Sequence, residues 1–161
     1  MLTLDELMGN FPRQGVVEWI GIRQGRNQPM VQPDAIELDP AAGIVGDRYG
    51  GRSGRRQVTL IQWEHLVALA SLTGRESVAP ELLRRNIVVR GINLLALKDR
   101  RFHLGTALLE YTGLCHPCSR MEAVLGPGGY NAMRGHGGIT ARVVEAGRLS
   151  RGDGLRVLPG H

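Results

Sequence analysis

Short apolar stretches cut apart by glycine constrain this chain more than any other feature. Its 23 glycines among 161 residues favour tight turns and bends over long helices. Gly15–Arg23 reads as a strand, rich in β-branched and aromatic residues and bounded by glycine. Met30–Leu38 is crossed by Pro33, so any strand there is an edge strand or an interrupted one. Gln57–Ile61 is a compact buried strand, and Asn86–Val89, Thr106–Thr112, Ala141–Glu145 and Leu155–Leu158 read as further strands. Helical spacing is confined to short pieces: Trp63–Leu72, Pro80–Arg84, Cys118–Leu125 and a turn at Leu2–Met8. Many short strands with few short helices predict a mainly β fold, a barrel. A doubly wound sheet would need regular alternation of strand and long helix.

The length suits a single domain over residues 1–161, with no repeat, low-complexity tract or linker to divide it. A hydrophobic fraction of 42% and a charged fraction of 22% permit a sizeable core without disulfides. The amino terminus holds Asp5 and Glu6 and no basic region, so it is not read as a secretory signal. No apolar run approaches the roughly 20 residues that cross a bilayer. A cytoplasmic location with Cys115 and Cys118 as free thiols is the expectation. The net charge is +5, and Lys98 is the single lysine, so positive charge here means arginine. Codon usage accounts for that bias in one view. In the other, guanidinium forks recognise phosphate, on a small molecule or on nucleic acid. Aromatic residues make up only 4% and no helix carries a basic stripe, which argues against nucleic acid.

The sharpest local feature is Cys115-His116-Pro117-Cys118, between a strand and a short helix. It admits a redox pair, although no βαβ unit precedes it. It admits half of a zinc site, although no second cysteine pair or His-x-x-x-His completes one. It also admits two inert core cysteines. A further reading makes Cys118 a single reactive thiol at a helix start, with Arg120 close by, both favouring the thiolate that binds a soft metal or accepts sulfur. A second feature is the glycine–arginine loop Gly43–Arg56 around Asp47 and Arg48, able to cradle an anion or simply be solvated. Arg84-Arg85-Asn86 enters a strand after a helix, where one arginine and the asparagine can share a pocket and the other arginine faces solvent. Tyr130–Gly138 suggests a lid or an anion nest, and His65 and His136 read as structural rather than metal ligands.

Taken together these stretches resemble the MOSC family, named for the carboxy-terminal domain of molybdenum cofactor sulfurase. The resemblance rests on Gly46-Asp47-Arg48-Tyr49-Gly50, Gln57–Ile61, Arg84-Arg85-Asn86-Ile87-Val88-Val89 with Gly91 and Leu94, Leu104-Gly105 leading into Ala107–Glu110, Pro117-Cys118, and Gly147 with Gly152-Asp153. These pieces stand in family order across residues 15–158. The resemblance implies a MOSC-type β-barrel that holds a molybdenum cofactor of molybdopterin type. It also implies Cys118 as the ligand to molybdenum and the catalytic residue, and Arg84 and Asn86 lining the cofactor site. Thr59, Asp47 and Arg48 are the further cofactor-binding candidates. One departure stands out: where the family often has histidine two residues after the Gly-Asp aspartate, this chain has Tyr49.

The expected function is reduction of N-hydroxylated compounds, such as hydroxylaminopurines or amidoximes, at a cysteine-ligated molybdenum. Small molecules are then the substrates, and a separate reductase brings electrons, since no flavin or iron–sulfur motif is visible. The alternative is a carrier of sulfur or of the molybdenum cofactor, with Cys118 as persulfide or thiolate and a partner that receives the cofactor. A thiol-redox protein is the lesser alternative. MOSC domains also travel fused to pyridoxal-phosphate-dependent desulfurases. With Lys98 alone available for a Schiff base, pyridoxal phosphate binding is discounted.

Overall fold

The computed structural model describes residues 1–49 and 54–159. After a capped helical turn α1 (Leu4–Met8), the chain forms β1 (Gly15–Ile20), β2 (Ile22–Arg23), β3 (Met30–Val31), β4 (Ala35–Asp39) and β5 (Gly43–Ile44). The middle of the chain contains β6 (Val58–Gln62), α2 (Trp63–Thr73), α3 (Pro80–Leu83) and β7 (Ile87–Arg90). A 3-10 turn at Leu94–Leu97 precedes β8 (Arg101–Leu104) and β9 (Ala107–Leu114). Then come α4 (Ser119–Leu125), α5 (Gly129–Met133), β10 (Ile139–Glu145), β11 (Gly147–Ser150) and β12 (Gly154–Val157).

Seven strands close into a barrel in the order β1-β12-β8-β9-β10-β6-β7, with β7 returning to β1. Closure leaves no open edge in that sheet. Every neighbouring pair is antiparallel except β6 and β7. A parallel pair needs a long crossover, which α2 and α3 supply. These two strands are buried on both faces. Leu60, Ile87 and Val89 point into the barrel core with Phe102, Leu109 and Ile139. Ile61 and Val88 point outward into a second cluster with Leu66, Leu69, Met121 and Met133, from α2, α4 and α5. Burial on both faces is why β7 opens on the apolar run Ile87-Val88-Val89 and why β6 is apolar apart from Thr59 and Gln62, themselves buried.

The mainly β barrel with a few short helices is thus the fold observed, and several local expectations need correction. Gly15–Arg23 is not one strand: Gly21 divides it, and the register of β1 against β7 also shifts between Val17 and Trp19. Met30–Leu38 is interrupted at Pro33, as its prolines require. The loop expected over Gly43–Arg56 opens with the two-residue strand β5, and its residues 50–53 lie outside the described residues. Part of the stretch expected to be a lid or nest is the helix α5, packed on α2 and α4. Among the described residues no helix is long and apolar enough to cross a membrane.

The turn after α5 is held so tightly that glycine is required. At Gly138, φ is +89°, and a β-carbon there would sit 2.0 Å from the Leu60 carbonyl oxygen. Gly152 has a similar φ of +90° with nothing within 4 Å. Gly152→Ala should therefore cost about 1 kcal/mol, from backbone conformation alone. Gly138→Ala should cost on the order of 3 kcal/mol or more, because backbone must also move. Urea midpoints of the two variants would check this; equal losses would contradict the steric argument.

Candidate functional site

One cavity of about 630 Å³ gathers the reactive groups. Its wall contains Cys118, Tyr49, apolar side chains from α3 and α4, and the arginines Arg23, Arg26, Arg48, Arg56, Arg84, Arg85 and Arg120. A cavity of similar size beside α2 is lined mainly by apolar residues, including Trp19, Trp63 and Leu66, with no cysteine and one arginine among its described lining residues. Convergent polar groups in a concave site mark the first as the site.

The floor of the site is a buried polar network. Asp47 accepts hydrogen bonds from the Arg23 backbone N–H at 2.8 Å and from its guanidinium at 3.2 and 2.9 Å. The same carboxylate accepts from Asn86 Nδ2 at 3.2 Å. Asn86 is wholly buried. Its Nδ2 also donates to the Gly21 carbonyl, and its Oδ1 accepts from both the backbone N–H and the hydroxyl of Thr59. The Thr59 hydroxyl in turn accepts from the Asn86 backbone N–H at 2.9 Å. This network joins the break after β1 to the start of β7 and to β6.

Above it lies Arg85, only 8% exposed. Its Nε donates to the Gly137 carbonyl at 2.9 Å and its Nη1 to the Leu83 carbonyl at 2.8 Å. Burial pushes this guanidinium below the usual arginine range, while interaction with Cys115 draws it back up; Arg56 lowers it and Cys118 raises it. Arginine begins so high that it stays charged. Arg84 behaves differently. It caps α3 in the left-handed region, φ 57°, and donates to the carbonyls of Gln28 at 2.7 Å and Gly25 at 3.1 Å. Its guanidinium is lowered by burial first, then by Arg23, Arg120 and Arg48, with Asp47 opposing.

The two cysteines are also unlike. Cys118 is exposed, caps the start of α4 and lines the cavity. Cys115 is buried; its N–H donates to the Gly138 carbonyl at 2.9 Å and its sulfur accepts from Arg56 Nη2 at 3.7 Å. A β-carbon on Gly137 would lie 2.2 Å from the Cys115 carbonyl oxygen, so the cysteine loop and the turn before β10 stack backbone on backbone.

The MOSC domain model matches residues 41–156, most of the chain. This chain belongs to the MOSC family. The crystal structure of the YuaD protein from Bacillus subtilis superposes with a TM-score of 0.81 at 22% identity, covering 94% of this chain and 100% of that one. YiiM from Escherichia coli superposes with a TM-score of 0.72 at 20% identity, over 93% of this chain and 72% of that one. YiiM from Geobacillus stearothermophilus gives 0.70 at 16%, over 89% and 75%. At such identities these likenesses speak for the fold. A search of curated proteins by sequence found no match.

Within this MOSC chain, Cys118, Arg84 and Arg48 line the cavity, as does Tyr49, where the family often has histidine. Thr59, Asn86 and Asp47 lie beneath it, their polar atoms bonded to one another, to Gly21 and to Arg23. Of the adjacent pair, neither arginine is fully exposed: Arg84 is half-buried and Arg85 is the buried one beside the cysteines. The sequence points to the Arg84-Arg85 pair without dividing it and gives no sign of Arg23 or Arg26. A signal for Arg85 did exist, since it stands next to Asn86 at the mouth of a buried strand.

His65 on α2 and His136 after α5 meet edge to face, ring centroids 4.8 Å apart, and His136 Nδ1 lies 2.9 Å from the Ala132 carbonyl. Burial first, then His136, lowers His65 below its ordinary value, with Glu64 opposing.

Two outcomes follow. Asp47→Asn puts an amide N–H₂ against the Arg23 donors, so a loss of about 2–4 kcal/mol is expected in chemical denaturation. Burial disfavours the charged form of His65, so its contribution is whole above its unfolded pKa near 6.5 and is lost as pH falls through the lower folded value. Urea midpoints should therefore fall as pH drops below about 6.5, and His65→Gln should flatten that fall.

Proposed function

We propose that this protein binds a molybdenum cofactor of molybdopterin type and reduces N-hydroxylated compounds with it, drawing electrons from a separate reductase. The observation that supports this most is the placement of Cys118: an exposed thiol sharing one cavity with seven arginines. A metal already held by dithiolene sulfurs needs from protein one further soft ligand and a clamp for the phosphate. The donor set fits. Cys118 is the soft ligand. Arg85, fixed by two carbonyls, and Arg56, bonded to the Cys115 sulfur, are cations beside the cysteine loop. The MOSC family's association with the molybdenum cofactor agrees with that donor set.

When bound, the cofactor supplies the two-electron chemistry that removes an N–O oxygen. The chain's own contribution is orientation and electrostatics. Arg85 cannot swing away, because both its Nε and one terminal nitrogen are anchored, so its charge is presented without reorganisation. Leu82, Met121 and Val124 line the same cavity and give a substrate an apolar surface.

Metal analysis of protein expressed in a host that makes molybdopterin tests the reading. Wild type and Cys115→Ala should carry near-stoichiometric molybdenum, and Cys118→Ala should lose it. Folded wild type without molybdenum or pterin would overturn the proposal. Molybdenum retained without turnover of any N-hydroxylated compound under a chemical reductant would instead favour the cofactor carrier. Equal loss in both cysteine variants would favour a paired-thiol site.

A further inference from the structure

The arginines of the cavity fall into two groups. Arg85 is buried at depth beside the cysteines, with Arg56 reaching toward the same loop. Arg26, Arg48 and Arg120 are exposed on the cavity wall, and none of these three guanidiniums has a hydrogen-bond or ion-pair partner among the described residues. Elsewhere on the surface, exposed arginines do find carboxylates: Arg90 pairs with Glu18, Arg148 with Glu37 and Arg151 with Asp34. Asp47, the carboxylate that acts on Arg84, is already held by Arg23 and Asn86. The outer charge is left uncompensated.

That outer group is also built. Arg84 adopts a left-handed backbone conformation, uncommon for a residue with a side chain, and such strain persists only where surroundings hold it. Its guanidinium grips the carbonyls at both ends of the Gly25–Gln28 turn, and this turn carries Arg26. Arg84 thereby fixes where Arg26 stands. Arg26, Arg48 and Arg120 line the same cavity as Arg84, so these charges converge rather than scatter.

A single phosphate monoester carries about two negative charges and three terminal oxygens. Arg85 and the exposed Arg56, the pair partnered beside the cysteine loop, suffice for one. We propose that Arg26, Arg48 and Arg120, braced by Arg84, form a second anion subsite that takes the phosphate of the substrate. The substrates of this pocket are then phosphorylated compounds rather than unphosphorylated ones. This rests on the reading of Arg85 and Arg56 as the cofactor's anion clamp, and the three arginines of the subsite are those left without a partner among the described residues.

The probes are AMP and adenosine, titrated calorimetrically into protein shown by metal analysis to be molybdenum-loaded. AMP should bind at least about ten-fold more tightly than adenosine, since charge-assisted pairs to phosphate are strong. The Arg26→Ala variant should lose most of that preference while keeping its molybdenum. Equal binding of AMP and adenosine by loaded wild type would overturn the subsite. So would an unchanged preference in Arg26→Ala, or loss of molybdenum together with AMP binding, which would make this arginine part of the cofactor clamp. If wild type holds no molybdenum, the cofactor reading fails separately. The same titrations on cofactor-free protein then decide the subsite: a preference for AMP that Arg26→Ala weakens sustains it, and no preference overturns it.

Discussion

Everything at this site stands on the buried carboxylate of Asp47. It ties the backbone and guanidinium of Arg23 to the amide of Asn86, and Asn86 in turn grips Thr59 and Gly21. A carboxylate without partners at that depth would be strongly unfavourable, and so would a buried amide. Each makes the other tolerable. The result is that three separate pieces of chain, the break after β1, the loop after β5 and the start of β7, have one mutual arrangement. Arg84 and Arg85 immediately precede Asn86, so their positions inherit that arrangement.

The opposite wall uses backbone rather than charge. Cys115 donates to the Gly138 carbonyl, and Gly137 lies flat against the Cys115 carbonyl with no room for a side chain. Arg85 reaches across to the Gly137 carbonyl. The cysteine loop, the turn before β10 and the start of β7 are therefore clamped together around one guanidinium. A cation held this way costs nothing to reorganise when an anion arrives, which is the condition for strong electrostatic recognition.

Much of this fold was legible in the residues. Strands β6 and β7 are mostly apolar because both their faces are covered, and the barrel followed from many short strands cut by glycine. What was not legible has physical causes. Strands β8 and β11 are four-residue pieces, Arg101–Leu104 and Gly147–Ser150, whose pairing comes from barrel closure rather than from strong local pattern. Arg84 and Arg85 could not be told apart, because a left-handed residue at the end of α3 redirects the two side chains and nothing in an Arg-Arg pair announces it. The Asp47, Asn86 and Thr59 side chains were marked by type as polar groups near a pocket. Only their mutual hydrogen bonds show that they support the site from below. Cys118 was marked by its place at a helix start after proline, and it stands exposed on the cavity wall.

The composition of the wall also limits what chemistry the protein itself can perform. Among the described lining residues there is no histidine and no carboxylate. Arginine holds its proton far above neutral pH and is a poor acid. A reaction in this cavity that consumes protons must take them from Tyr49, from the Cys118 thiol or from water. Cys118 as a metal ligand would be deprotonated already. That leaves Tyr49 and water, and the exposed residues on the cavity wall, Arg26, Arg48 and Arg120, show that solvent reaches it. Where the family often has histidine, Tyr49 puts a phenol on the cavity wall in place of an imidazole. What the described lining offers is position and positive charge.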